Sequence, residues 1–594
     1  MTIMKKYLPG RLVNALLGAA GLFQIATASV DAASRPNLIV ILTDDQGYGD
    51  LACHGNPVLK TPHLDRLHSQ SIRLTDFHSA PVCTPSRGQL MTGRDAMHNG
   101  AWSWAFGHEM IHAGNKTMAT VFKENGYATG HFGKWHLGDN YPYRPGDKGF
   151  DESVSLGGGS ASQSPDYWQN DNMDDFYRHE DGTYHQHKGY CTDVWFDRSM
   201  DFMKRSRAKD KPFFIYLPTN AAHVPYLVEK KYSDLYRDTG IGNYYGMIAN
   251  IDDNVGRLNQ YLQESGLAEN TIVIFMSDNG GNTGTKIHSA GMQGKKKTYY
   301  EGGHRVPCFI RWPNGDLGQA RDINETTQMQ DLLPTLIELC NLKTDAQTQE
   351  SFDGVSLAGL IKENDALADR KLVVQWSSKD FPQYGDAAVL WNKWRLVHDK
   401  ELYNVAEDSA QQNDVASQYP EIVQLLKAHY AAWWETVQPV VSIYARASIG
   451  GAENPVNLTC FEWTKKQGGG NVTVQSTLMK GKTVNGSWML NAEQAGRYRI
   501  ELRRYPREAN FAMSGAYPKT KRELTVFNEC KALPVSRARL TIGDFDETIT
   551  VGPADTVAVF EVTLPLGGTE MKTWLLDQQG KELCGAYYAY VEKQ

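Results

Sequence analysis

Three short, unbroken apolar runs constrain this chain more than any other feature. They are Asn37–Thr43 (Asn-Leu-Ile-Val-Ile-Leu-Thr), Lys211–Leu217 (Lys-Pro-Phe-Phe-Ile-Tyr-Leu) and Thr271–Ser277 (Thr-Ile-Val-Ile-Phe-Met-Ser). A strand with one wet face alternates polar and apolar residues. A run that is apolar throughout is covered on both faces, as in a parallel sheet flanked by helices. Between the last two runs, Tyr244–Glu264 carries Ile248, Ile251, Val255, Leu258 and Leu262 at helical spacing. Strand, helix, strand in this order predicts an α/β unit with a mostly parallel sheet, here over residues 35–345.

With 594 residues the chain is too long for one ordinary core. Residues 346–445 offer strands near 371–376 and 394–398 and a helix over 420–437, a smaller α+β unit. Residues 446–594 change character: segments such as Gly496–Leu502, Ala538–Ile542 and Val557–Thr563 alternate in polarity between turn residues. That pattern predicts a β-sandwich. The Gly- and Ser-rich stretch Gly157–Ser164 reads as a flexible surface loop.

At the start, Lys5, Lys6 and Arg11 precede an apolar stretch from Leu12 to Ala26, then Ala28, Ala32 and Ala33. This is the layout of a secretory signal peptide, placed at residues 1–34, and it implies export to the periplasm or beyond. The stretch is short for a membrane span, and no other segment qualifies. The eight cysteines (Cys53, Cys83, Cys191, Cys308, Cys340, Cys460, Cys530, Cys584) are too sparse for a disulfide scaffold, and sequence leaves one or two bridges open. The formal charge of −7, without a long basic run, argues against a nucleic-acid partner. An anionic substrate would be met by a few local cations.

Two of the apolar runs end in polar pairs, Asp44-Asp45 and Asp278-Asn279. Strands of an open parallel sheet share one carboxyl edge, where ligands bind. Either pair alone reads as turn formers. Together, on neighbouring strands, they supply hard oxygen ligands for Ca²⁺ or Mg²⁺. The segment Ala80-Pro-Val-Cys83-Thr-Pro85-Ser-Arg87-Gly88 places a proline in the first turn of a helix, with Arg87 four residues after Cys83. Exposed N–H groups at such a helix start favour an anion. A lone cysteine there otherwise reads as a buried core residue.

Cys83-Thr-Pro-Ser-Arg87 resembles the formylglycine signature of type I sulfatases, and other blocks resemble the same family over most of the first 440 residues. These are Asp44-Asp45-Gln-Gly-Tyr-Gly49, Gly93-Arg94, Gly130-His-Phe-Gly-Lys134-Trp-His136-Leu-Gly138 and Tyr299-Tyr-Glu-Gly-Gly-His-Arg-Val-Pro307. The resemblance implies an alkaline-phosphatase-like α/β fold and hydrolysis of sulfate esters, with sulfated carbohydrate, cut from chain ends, or an aryl sulfate as substrate. It further implies that a maturation enzyme converts Cys83 to formylglycine. Asp44, Asp45, residue 83, Asp278 and Asn279 would then hold Ca²⁺. By the same resemblance one hydroxyl of the hydrated aldehyde, held by the metal and Arg87, attacks sulfur. His136 takes the proton of the other, so that sulfate is expelled. Lys134 balances charge on the sulfuryl group, and His223 protonates the leaving oxygen. The family's second lysine falls on Lys296 or, one residue on, Lys297. The same superfamily holds phosphate and phosphonate ester hydrolases, one rival reading, and a non-catalytic glycan-binding protein is another. Finally, Gly157–Tyr190 holds Tyr167, Trp168, Tyr177, His179, His185 and His187. This insertion is expected to reach the active-site rim, with His179, His185 and His187 as sugar contacts.

Overall fold

The computed structural model of the protein describes residues 35–594 other than residue 364, so the signal peptide expected at 1–34 lies outside the described residues. The apolar runs form the middle of a ten-stranded sheet. Its order is Arg321–Ile323, Ile72–Leu74, Cys308–Arg311, Thr271–Ser277, Asn37–Thr43, Phe213–Pro218, Ala128–Lys134, Glu152–Leu156, Phe176–His179 and Tyr184–Gln186. The five strands from Thr271–Ser277 to Glu152–Leu156 pair in parallel. The antiparallel neighbours lie further out, at Cys308–Arg311, Phe176–His179 and Tyr184–Gln186. Alternate residues of the runs enter two separate cores, which is why the runs are apolar throughout. Leu38, Val40, Leu42, Ile272, Ile274 and Met276 pack on one face; Ile39, Ile41, Ile215, Leu217, Val273 and Phe275 pack on the other. The predicted helix is Gly242–Glu264, and its Ile248, Ile251, Val255, Leu258 and Leu262 all belong to the second core.

Residues 346–445 form a four-stranded antiparallel sheet (Leu372–Gln375, Ala387–Trp391, Trp394–Val397, Glu401–Asn404) and the helix Pro420–Val441. Arg395 ties this layer to the main sheet. Its guanidinium donates to Glu301 at 2.7 Å and to Asp76 at 2.9 Å, with all three side chains largely buried.

Beyond residue 446 two sheets lie face to face. One includes Ala447–Ile449, Val484–Ala492, Gly567–Leu576, Arg537–Ile542 and Phe545–Thr550; the other is Val456–Thr459, Tyr588–Lys593, Gly496–Arg503 and Ala558–Leu564. Trp488, Leu540 and Met571 from the first meet Tyr498, Ile500, Phe560 and Val591 from the second in one core, the arrangement of a sandwich. We propose 35–345, 346–445 and 446–594 as domain limits.

Gly157–Ser164 is not a flexible surface loop. All but the half-buried Ser162 are buried, because the sandwich covers them. Gln475 donates to the carbonyls of Gln163 and Asp166 at 3.0 Å each, Ser164 N–H donates to Thr473 at 2.9 Å, and Trp168 packs with Met479, Tyr505 and Phe527. Truncation near residue 445 would expose Trp168 and strip these buried backbone groups of partners. The shortened chain is expected to be insoluble when expressed; a soluble truncation with full turnover would contradict this reading.

None of the eight cysteines is in a disulfide. Among the described residues, no helix is long and apolar enough to cross a membrane.

Candidate active site

The register of the sheet assembles the site. Thr43 pairs with Ser277, so Asp44-Asp45 and Asp278-Asn279 leave the sheet side by side. Leu42 pairs with Pro218 and His131 with Tyr216, which brings His223 and Lys134 to the same edge. Gly133 is required for this: a Cβ there would lie 1.9 Å from the Pro218 carbonyl oxygen. Four adjacent strands thus deliver Asp278, Asp44, His223 and Lys134 to one place, the carboxyl edge where such sheets bind ligands. The wholly buried helix Cys83–Thr92 points its first turn at this edge, with Cys83 as its first residue. Ligand atoms of Asp44, Cys83 and Asp278 lie within 4.8 Å of one another, as do those of Asp44, Asp45 and His223.

Cations interleave with the carboxylates. Lys134 Nζ sits 2.5 Å from Asp44 Oδ2, and Lys296 Nζ 2.5 Å from Asp45 Oδ1. Arg87 donates twice to Asp278 Oδ2, at 2.8 and 3.1 Å, and to the Lys134 carbonyl at 2.8 Å. Asn279 Nδ2 donates to Asp45 Oδ1 at 2.8 Å. Two oxygens in this buried cluster have no partner, Asp44 Oδ1 and Asn279 Oδ1. Burial, and next the neighbouring Asp278, push the Asp44 carboxyl up to about 8. Against the burial that would raise it, Lys296 and then His223 hold Asp45 below the usual carboxylate range. Further positive charge beside Asp44 would favour its ionised form. Orphaned hard oxygens in a carboxylate-rich cage fit a divalent cation of the calcium or magnesium kind.

Of the two lysines left open by sequence, Lys296 is the one among the carboxylates. Lys297 Nζ instead lies 5.6 Å over the Trp104 ring, and both line the same cavity.

His136 follows the Ala128–Lys134 strand in a left-handed conformation (φ 57°). Burial, then Lys134 and Arg87, hold its pKa well below the usual histidine range, so the ring is neutral. Nε2–H donates to the Trp104 carbonyl at 2.9 Å, which leaves a lone pair on Nδ1, and Nδ1 is buried without a partner. Gly159 lies flat on this ring, and a Cβ there would stand 2.4 Å from His136 Cε1. Gly159→Ala is therefore expected to displace the imidazole and lower kcat roughly 10²-fold, the loss typical of a 1 Å misplacement. Steady-state kinetics on protein of unchanged far-UV dichroism would check this; an unaltered kcat would show that the ring position is unimportant. His223 Nδ1 lies 2.6 Å from the Val224 carbonyl, and Nε2 lies 3.8 Å from Asp45 Oδ2. Burial, then Lys296, lower its pKa to about 3.

A cavity of about 1000 Å³ opens above Cys83, His136, His223 and Lys296. His179, His185 and His187 do not line it, which corrects their assignment as sugar contacts in this cavity. They belong to the hairpin Phe176–His179/Tyr184–Gln186 at the far edge of the sheet, and line a separate depression with Asp197 and Arg198. His179 and His187 Nε2 atoms are 3.0 Å apart, engaged with each other. The part of the insertion that does reach the cavity is Ser160–Gln163. Sequence reasoning missed this segment and the Trp104 carbonyl; for the sandwich it anticipated a share in the substrate entrance but not the lining residues between 471 and 531. Only the Gly-rich composition of Gly157–Gly159 hinted at a close approach.

Residues 36–342 match the sulfatase family. N-acetylgalactosamine-6-sulfatase of Canis lupus familiaris is 31% identical over 365 residues, covering 58% of this chain and 68% of the relative. The ulvan-active sulfatase of Formosa agariphila is 28% identical over 368 residues, with the same 58% and 68% coverage. Among solved structures, Ps i-CgsB in complex with k-i-k-neocarrahexaose superposes with a TM-score of 0.63 at 26% identity, covering 69% of this chain and 95% of that one. The mostly parallel sheet with its flanking helices is thus the alkaline-phosphatase-like fold of these enzymes. The matched segment contains every residue of the carboxylate cluster and its cations, and the chain belongs to the sulfatase family and is a sulfuric ester hydrolase.

Proposed function

We propose that the protein is an exported, calcium-dependent sulfatase acting on sulfated carbohydrate, with formylglycine at position 83. The observation that carries this reading is the meeting of Cys83, Asp44 and Asp278 within 4.8 Å, with oxygens of Asp44 and Asn279 left unpartnered. Asp44, Asp45, Asp278, Asn279 and residue 83 would hold the ion, and an all-oxygen protein cage of this size suits Ca²⁺ better than the smaller, water-retaining Mg²⁺. Bound there, the ion would polarise the sulfate and orient the nucleophile. Formylglycine, made by a maturation enzyme, would supply a hydrated aldehyde whose first hydroxyl attacks sulfur and whose second, once deprotonated, releases sulfate.

The other roles fall to this chain's own side chains. Arg87, Lys134 and Lys296 converge as fixed cations on the place where sulfuryl oxygens would sit, and being preorganised they need no reorientation as charge develops. His136 offers its unpartnered Nδ1 lone pair as the base. His223, at the cavity wall, would act as the acid for the leaving oxygen only after Nε2 has taken up a proton, because the Val224 carbonyl holds its Nδ1–H and burial and Lys296 favour the neutral ring. Lys134 and Lys296 occupy carboxylate oxygens that a second metal would need, which favours a monoanionic sulfate over a phosphate monoester. The carbohydrate class is supported by what the relatives' names specify: N-acetylgalactosamine 6-sulfate, ulvan and a carrageenan hexasaccharide. Export rests on the Lys5–Ala33 pattern.

The test is turnover of an aryl sulfate set against the matching aryl phosphate. The expected result is hydrolysis of the sulfate at a kcat/KM at least about 10²-fold higher. Preference for the phosphate would support the phosphoesterase reading, and no turnover of either would support a glycan-binding protein.

A further inference from the structure

We infer that the C-terminal sandwich carries a second anion subsite, formed by Lys480 and Lys531, that holds another charged group of the same glycan. This rests on the sulfated-carbohydrate reading above and narrows it to polyanionic chains, those with a second sulfate or a uronate carboxylate near the scissile ester.

The cavity is the first observation. At about 1000 Å³ it stands at the top of the range of about 300–1,000 Å³ for small-molecule sites, larger than one sulfated sugar ring. Cys83, His136, His223 and Lys296 line it together with two stretches of the sandwich, residues 471–480 and 525–531, more than 380 positions away in sequence from Cys83. A domain that merely braced the catalytic unit would have no reason to close its pocket.

The second observation is the charge on that wall. Lys531 N–H donates to the Met479 carbonyl at 2.8 Å, so Lys480 and Lys531 stand on adjoining backbone. The buried Arg504 guanidinium donates to the Lys531 carbonyl from behind, fixing that backbone. Both lysines line the cavity and are exposed to it, and among the described residues neither ammonium has an ion pair or a hydrogen bond. Lys297, on the catalytic side, likewise has no ion pair among the described residues, and its Nζ lies over the face of Trp104. Glu529 is the single acidic side chain in the lining. Lys296 is already neutralised by Asp45. Set against the single carboxylate of Glu529, the lysines without an ion pair leave a net positive charge in a concave lining, which concentrates the field. Val474, Met479 and Phe527 in the same lining offer apolar surface for the faces of sugar rings. A neutral or singly charged sugar would leave the lysine pair with water alone.

The measurement is calorimetric binding to the Cys83→Ala protein, which cannot turn over, of a polysulfated hexasaccharide and of its monosulfated counterpart. The parent pocket should bind the polysulfated chain about tenfold more tightly, the sum expected of two partly exposed charge contacts, with the difference shrinking as salt is raised. Adding Lys480→Gln and Lys531→Gln should remove that preference while the melting temperature stays within a degree or so of the parent. A preference that persists in the double variant, or none in the parent, overturns the inference. Because binding is read without turnover, these outcomes are separate from failure to hydrolyse an aryl sulfate, which would overturn the sulfatase chemistry itself.

Discussion

Cys83→Ala is expected to fold like the parent and to lose at least about 10⁴-fold of its turnover. Cys83 is the first residue of a helix whose other nine residues are also buried, and the substitution removes one sulfur without adding bulk. Helix propensity improves slightly, and the polar network of Arg87, Asp278 and Lys134 does not run through the sulfur. What would be lost is the thiol whose oxidation is proposed to turn the β-carbon into the aldehyde of formylglycine. The remaining cations can still bind a sulfate ester, so KM should change much less than kcat. A drop in KM-weighted binding with kcat preserved would mean that Cys83 shapes the pocket and does no chemistry.

Exhaustive chelation is expected to abolish turnover and Ca²⁺ to restore it. The reason is electrostatic. Asp44, Asp45 and Asp278 are buried together, and Lys134, Lys296 and Arg87 each engage one oxygen of a different carboxylate. Asp44 Oδ1 and Asn279 Oδ1 are buried without a hydrogen-bond partner among the described residues. An ion that binds only the folded state adds RT ln(1 + [L]/Kd), about 3–4 kcal/mol at a hundred- to thousandfold excess over Kd. The chelated protein should therefore also melt at a lower temperature, a readout independent of activity. Full turnover in protein shown by elemental analysis to be free of metal would refute the calcium requirement.

Much of this was readable from sequence because local pattern and tertiary demand coincide. Asn37–Thr43 and Thr271–Ser277 are apolar at every inner position because each feeds two cores at once, and the polar pairs after them mark where the sheet ends. The two-residue step from Lys134 to His136 survives as a strand end followed by a left-handed turn. The sandwich was legible from alternation such as Arg537–Ile542, where inward Ala538, Leu540 and Ile542 are buried.

The failures have a common physical cause. Gly157–Ser164 has the composition of a mobile loop, yet the absence of side chains is what lets it pass between His136 and the sandwich. Its burial depends on partners more than 300 residues away, such as Gln475 and Thr473. His179, His185 and His187 follow His136 in sequence, but two strand reversals carry them to the sheet edge. The choice between Lys296 and Lys297 could not be made from spacing, since both side chains reach the cavity and only contact with Asp45 distinguishes them.

The central claim is that the reacting group at position 83 is no longer cysteine. Arg73 and Arg87 bracket a peptide, Leu74–Arg87, that trypsin releases intact. Its mass should be measured in preparations whose aryl-sulfate turnover is known, with and without co-expression of a formylglycine-generating enzyme. The account predicts an aldehyde or its hydrate at position 83, in a fraction that rises in proportion to specific activity. A fully active preparation containing only unmodified cysteine would contradict it.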